Sequence, residues 1–191
     1  MIDPDAVESR DAGDFGAWFA LIADALSGTG VSEVPCGACT ACCRASQFVE
    51  VGPNETAALA AIPRSLLFAA PGAPVGTLLM GYDEHGRCPM FDDGVCSIYD
   101  HRPRACRVYD CRVFAASDVY PEEPEKASVA GTARGWVFSF ADPSDRRRHE
   151  MIRTRAQDLR APVEPSGRTS RSPDATEVAI RAISEVAVAE S

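Results

Sequence analysis

Behind Asp14, a natural capping residue, the apolar positions Phe15, Trp18, Phe19, Ile22 and Leu26 recur at helical spacing, and the pattern stops at Gly28 and Gly30; this predicts the first helix. Residues 1–13 are polar and read as a loose tail. From Cys36 to Cys43 the chain is rich in Gly, Ala and Cys, with too little bulk for a helix or strand of its own. Gln47–Val51 predicts a short strand. Asn54 caps a second predicted helix through Glu55, Leu59 and Ile62, stopped by Pro63.

Residues 63–76 hold three prolines and two glycines and read mainly as loop. Thr77–Tyr82 predicts a strand and Asp83-Glu84-His85-Gly86 a turn. Asp92-Asp93-Gly94 is the turn of a hairpin that returns through Val95–Tyr99. Asp100 then caps a short helix that tolerates Pro103 in its first turn. Tyr120–Lys126 is an acidic, proline-containing connector, and Gly135–Phe140 a further strand. Asp142–Leu159 predicts a charged helix carrying Arg146, Arg147, Arg148, Arg153 and Arg155. Residues 161–173 have the composition of a linker. Glu177–Glu190 returns to helical spacing, with Val178, Ile183 and Val186 on its apolar face. No internal repeat is visible.

That order of elements predicts an α+β chain, built on a small, irregular, cysteine-rich and metal-organised module with short hairpins, flanked by helices. The predicted division is an N-terminal tail and helix (1–35), the cysteine-cluster module (36–111), a connector with a strand and an arginine-rich helix (112–160), and a linker with a C-terminal helix (161–191).

Composition sharpens this picture. The apolar fraction of 46% contains 30 alanines, whereas Val, Ile, Leu and Phe together number 39 of 191 residues. A chain with so little bulk struggles to bury enough surface to offset its conformational entropy, so something besides apolar packing is expected to hold the centre. The formal net charge of −9, with no broad basic stripe, argues against nucleic acid. The arginine-rich helix has Glu150 and Asp158 interspersed and reads as a solvated face. No apolar run approaches the ~18–20 residues that span a bilayer. The segment Met1–Asp14 carries five acidic side chains and no apolar stretch, so the expectation is no secretory signal and a cytoplasmic location. In a reducing compartment, cysteines serve metal or redox chemistry more often than disulfides. The 18 arginines against the single Lys126 fit the codon bias of a GC-rich genome.

The candidate chemistry lies in the eight cysteines, all within residues 36–111. Cys36, Cys39, Cys42 and Cys43 form C-x2-C-x2-C-C, followed by Cys88, Cys96, Cys106 and Cys111. A two-residue spacing lets a tight turn aim two sulfurs at one ion, which suits tetrahedral zinc, with Zn–S near ~2.3 Å, and equally suits iron–sulfur clusters. Cys36-x2-Cys39-x2-Cys42 has the spacing of the first ligands of a bacterial ferredoxin run, and Cys88-Pro89 resembles the remote Cys-Pro that completes one. Cys42 and Cys43 are neighbours whose side chains diverge. They serve two centres, or two metals of one cluster, or one of them is no ligand. Eight thiolates divide into two four-sulfur sites, in a partition that spacing does not assign.

Cys36-Gly-Ala-Cys39-Thr-Ala-Cys42-Cys43, then Cys88-Pro89-Met90-Phe91, then the run from Cys96 through Ile98-Tyr99-Asp100-His101-Arg102-Pro103-Arg104-Ala105 to Cys106-Arg107, resembles the YkgJ-type cysteine-cluster proteins. The resemblance covers residues 36–111 and implies a zinc- or iron-chelating domain, some of whose bearers are called iron–sulfur oxidoreductases by inference. A bacterial flagellin lysine methylase with a related cysteine pattern binds an iron–sulfur cluster, which favours iron. Nothing outside 36–111 supports that methylase's further enzymatic parts.

The expected ligands are therefore Cys36, Cys39, Cys42, Cys43, Cys88, Cys96, Cys106 and Cys111, holding an iron–sulfur cluster of the 4Fe-4S kind or Zn2+. Arg102 and Arg107, which flank Cys106, are the expected partners of the thiolates' charge. Ile98 and Tyr99 read as packing over the metal. His85 and His149 read as solvated, and His101 as a non-ligand. No catalytic motif is present, so any enzymatic role is at most that of an iron–sulfur oxidoreductase. The competing functions are a metal handler or zinc-stabilised interaction module, and an electron carrier serving an unidentified protein partner. An enzyme binding substrate at the cluster ranks last.

Overall fold

In a computed structural model of the chain, the described residues are 8–32, 34–35, 38–161 and 174–190. Cys36, the first seven residues of the predicted tail and residues 162–173 of the predicted linker lie outside them. The chain is α+β, and its contacts divide it into two units. One takes residues 1–30, 111–122 and 130–191; the other takes 31–110 and 123–129. Of the stretch 36–111, residues 36–110 fall in the second unit together with 31–35 and a strap at 123–129, and Cys111 falls in the first.

The first unit is helical. β1 (Arg10–Asp14) leads into α1 (Phe15–Ser27), whose first turn is capped by Asp14 Oδ1 accepting from the Ala17 amide at 3.0 Å. That bond holds the Asp14 carboxyl below its ordinary range, and Gly28 closes the helix in the left-handed conformation at φ 91°. α1 buries Phe15, Trp18, Phe19 and Ile22, as its spacing predicts. In chain order within this unit come α4 (Arg112–Ser117), β7 (Trp136–Ser139), α6 (Pro143–Arg160) and α7 (Ala175–Ala189).

Phe114, Ile152, Val178 and Ile183 are buried in the same unit. Ala156, Ala179 and Ala182 are fully buried, so part of the alanine excess lets α6 and α7 approach closely. Gly16 lets α1 lie close to α6, because a Cβ there would collide with the buried Asp145 carboxylate.

Three expectations change in this unit. Residues 10–14 are not loose: they pair in parallel with β7, with Ala12 fully buried. A five-residue strand with Ala and Gly at its centre carries no alternation to read. The arginines of α6 are not simply solvated either. Arg148 pairs with Asp145 and Glu190 at 2.6 Å each, Arg153 with Asp118, Arg155 with Glu185, and Arg160 with Glu122 at 2.9 Å. These pairs are exposed or partly so and each contributes little alone.

His149, expected in solvent, packs its ring 5.0 Å from Phe15 and 5.3 Å from Phe140, with Nε2 shut off from water and without a hydrogen-bond partner among the described residues. Burial lowers its pKa, helped by Arg153, while the Ala115 backbone, Glu150 and Asp118 pull the other way. A histidine lowered in the fold keeps its contribution above the ordinary value of 6.5 and loses it as pH falls through the folded value. Denaturant unfolding followed by tryptophan fluorescence should therefore show stability falling below pH 6.5, with a smaller fall in His149→Phe. Equal falls in both proteins would remove His149 from this role.

The second unit is a small α+β body. β2 (Val49–Val51), β4 (Leu78–Met80) and β3 (Leu67–Ala69) form an antiparallel sheet in that order. Their inward residues Val51, Leu67 and Met80 pack with Ala58 and Ile62 from or beside α2 (Thr56–Ala61), and with Met90 and Ile98. β3 lies inside the stretch read as loop; three residues between prolines form a strand only because β4 supplies partners. Helix α2 begins at Thr56 without a side-chain cap, so Asn54 does not play the expected part. The hairpin of β5 (Phe91–Asp92) and β6 (Val95–Cys96) stands as predicted, with Asp93 and Gly94 both at positive φ. The helix expected from Asp100 instead begins at Arg104, as α3 (Arg104–Val108), after a separate 3-10 turn at Tyr99–His101. Helix α5 (Ala127–Arg134), which runs from the strap into the first unit, has no counterpart in the sequence reading.

Candidate metal centre

Cys42 and Cys43 sit in a 3-10 turn at Ala41–Arg44, Cys88 follows the Asp83–Gly86 turn, Cys96 ends β6 and Cys106 lies in α3. The turn before Cys88 is braced by Asp83, whose carboxylate accepts from the amides of His85 and Arg87 at 2.8 Å each. The Cys88 amide donates to the Cys43 carbonyl at 2.8 Å, which ties the two remote parts of the cysteine pattern backbone to backbone. The strap lies along the same segment: Ser128 Oγ donates to the Ala41 carbonyl at 3.0 Å and the Ser46 amide to the Glu125 carbonyl at 3.4 Å. Cys88 and Cys96 also pack against the apolar core of the unit.

No disulfide joins the described cysteines. The charges of Cys42, Cys88 and Cys96 reach both Cys43 and Cys106. The Cys43 thiol donates to the Cys42 sulfur, which brings Cys42 down to about 7 and pushes Cys43 up. Burial raises Cys88, with Cys96 and Cys42 adding to it. Burial, then the neighbouring Cys88, Cys42 and Cys96, push Cys106 up to about 12. The repulsion among these sulfurs is the kind that a bound cation relieves. Among the described residues, no three His, Cys, Asp or Glu side chains converge closely enough to hold an ion as they stand. The donor chemistry fits zinc or iron. Closing the set requires the thiols to rotate out of the Cys42–Cys43 hydrogen bond, and the C-x2-C opening includes Cys36, outside the described residues.

Of the two expected arginines, Arg102 acts on the thiols directly: its charge lowers both Cys42 and Cys106. It is held by its Nε donating to the Tyr99 carbonyl at 2.8 Å and by its guanidinium lying 3.6 Å over the Tyr99 ring. Tyr99 is 59% exposed and supports Arg102, while Ile98 is buried as expected. Arg107 turns toward Glu55, 3.7 Å away. His85 and His101 are exposed.

Cys111 belongs to the helical unit, where it is buried and its Sγ accepts from the Trp136 indole at 3.1 Å. Cys111→Ala should cost about 1–3 kcal/mol by opening a small cavity and orphaning the indole N–H, with metal content unchanged. Elemental analysis of the variant beside its denaturation curve checks both, and a loss of metal would make Cys111 a ligand. Sequence gives no hint of this contact, since Trp136 is 25 positions away.

Residues 35–127 match the family model described as "CxxCxxCC: Putative zinc- or iron-chelating domain". Neither the curated proteins nor the solved structures yield a match. Among the described residues no helix is long and apolar enough to cross a membrane. The match spans every cysteine but continues beyond Cys111 into the strap that lies along the Cys42–Cys43 segment. Over residues 35–127 the chain is thus similar to the CxxCxxCC family, whose model is that of a putative zinc- or iron-chelating domain.

Proposed function

We propose that the thiolates of one metal centre are drawn from Cys36, Cys39, Cys42, Cys43, Cys88, Cys96 and Cys106, four of which would hold an iron–sulfur cluster of the 4Fe-4S kind. Its role is electron exchange or metal handling in the cytoplasm. The carrying observation is that remote parts of the cysteine pattern meet in one unit, the Cys88 amide donating to the Cys43 carbonyl at 2.8 Å, with the charges of Cys88, Cys42 and Cys96 bearing on Cys106. Soft thiolate donors select iron–sulfur clusters or zinc over harder ions. Arg102 would offset the negative charge of the thiolates, and a nearby cation raises a cluster's reduction potential. Bound there, the cluster supplies one-electron exchange; the chain holds its ligands and sets the charge around them.

A protein partner would meet the open cleft of about 670 Å3 lined by Arg44, Ser46, Tyr82, His85 and Glu125. A second reading, Zn2+ in a purely structural site, is favoured by Cys88 and Cys96 seating against the apolar core, where metal and packing would close the same unit.

The deciding experiment is elemental analysis with an optical spectrum on protein purified without oxygen and without a metal-affinity column. Iron with acid-labile sulfide and a broad band near ~400 nm supports the cluster. Zinc with no visible band supports the second reading, and protein free of both metals sinks the two together.

A further inference from the structure

Glu55 is a feature of the second unit that neither the cysteine pattern nor the family match marks out. It closes the Gly52–Glu55 turn between β2 and α2, with its amide donating to the Gly52 carbonyl at 3.1 Å. Its side chain folds back so that Oε2 accepts from the Gly52 amide at 2.7 Å. Oε1 reaches a residue 49 positions away, accepting from the backbone amide of Arg104. The Arg107 guanidinium lies 3.7 Å from the same oxygen. The side chain is only 19% exposed, so these contacts are partly withdrawn from water.

Arg104 is the first residue of α3, and Pro103 before it offers no side-chain cap. Glu55 therefore caps this helix from outside, meeting an amide at the N-terminus, where a negative charge is favoured. Arg107 reaches it from the same helix. Cys106 lies between these two attachments. A five-residue helix has little stability of its own, so the direction in which it presents Cys106 depends on what fastens it.

We infer that Glu55 is the positioning residue for Cys106, fixing α3 so that this thiol faces the other cysteines. The inference rests on the metal-centre reading above. Glu55 touches no thiol; it acts through the helix.

Cobalt(II) is a suitable probe, because thiolate-to-cobalt charge-transfer intensity rises with the number of sulfurs bound. It would be titrated into the reduced, metal-free full chain, with alkylation of Cys106 by iodoacetamide read by mass spectrometry on the cobalt-loaded protein. Glu55→Ala should lose the same share of intensity as Cys106→Ser, expose Cys106 to alkylation and weaken cobalt binding about tenfold. Glu55→Gln, which keeps one acceptor oxygen for the Arg104 amide but turns an NH2 toward the Gly52 amide, should restore the intensity only in part. Glu55→Asp, shorter by a methylene, should again expose Cys106; it carries the test if the alanine variant does not fold. The double variant of Glu55→Ala with Cys106→Ser should lose no more than either single change.

Wild-type intensity with Cys106 still protected in both Glu55→Ala and Glu55→Asp would overturn the inference. So would wild-type intensity in Cys106→Ser, which leaves the metal reading standing on the other cysteines. A wild-type chain that takes up no cobalt would overturn the metal reading and this inference with it.

Discussion

Stripping the metal is expected to melt the cysteine unit and spare the helical one. The apolar core of the unit at 31–110 and 123–129 is small: Val51, Ala58, Ile62, Leu67, Met80, Met90 and Ile98. Its strands are two or three residues long. Its thiols repel one another when ionised, and without a cation burial drives Cys88 and Cys106 toward their neutral forms. Binding energy at such a site is folding energy. A metal contribution of even about 3 kcal/mol would set the midpoint of a unit this size higher by roughly 12–24 °C.

The two tryptophans separate the units cleanly, because Trp18 and Trp136 both belong to the helical one. After chelation, far-UV circular dichroism should show an early transition while the tryptophan fluorescence midpoint stays in place. An unchanged dichroism melt would mean that metal does not replace missing core.

Phe15→Ala should have the complementary effect. Phe15 is fully buried and touches Trp18, Phe19, Phe138, Phe140 and His149, with ring centroids 5.0 to 6.1 Å away. Removing a ring so surrounded costs about 3–5 kcal/mol in lost transfer energy and residual cavity. Tryptophan fluorescence should report a lower midpoint, and metal per chain should equal that of the wild type. Metal lost from a Phe15→Ala protein that is still folded would contradict the assignment of the centre to the other unit.

What the sequence allowed to be read follows from the range of the forces involved. The α1 pattern from Phe15 to Ile22, the Asp93-Gly94 turn, and the α6 and α7 helices are set by neighbours within one or two turns, and each stands where it was expected. β1 depends on β7, far along the chain, and β3 on β4 across a proline- and glycine-containing loop, so their own residues carry little signal. In α5, Ala127 to Arg134 mixes Gly, Ser and Thr with small apolar residues, which masks a helix by propensity.

The site divides the same way. The family-like motif marks the segments around Cys36–Cys43, Cys88 and Cys96–Cys106, because a metal needs its donor types at close spacing. Glu55 has half a local signal, an acidic side chain three residues after the Gly52 turn, as in a capping box. Its reach to Arg104 is invisible without the fold. Charge counting likewise placed Arg102 and Arg107 together, whereas Arg102 lowers Cys42 and Cys106 and Arg107 lies against Glu55.

The most direct test of the central claim is thiol footprinting of the protein as purified without oxygen, before and after chelation, with iodoacetamide labelling read by mass spectrometry. The account predicts that Cys42, Cys43, Cys88, Cys96 and Cys106 are protected together and become labelled together once metal is removed, while Cys111 does not change with them. Labelling of these five at the same rates before and after chelation would contradict a shared metal centre.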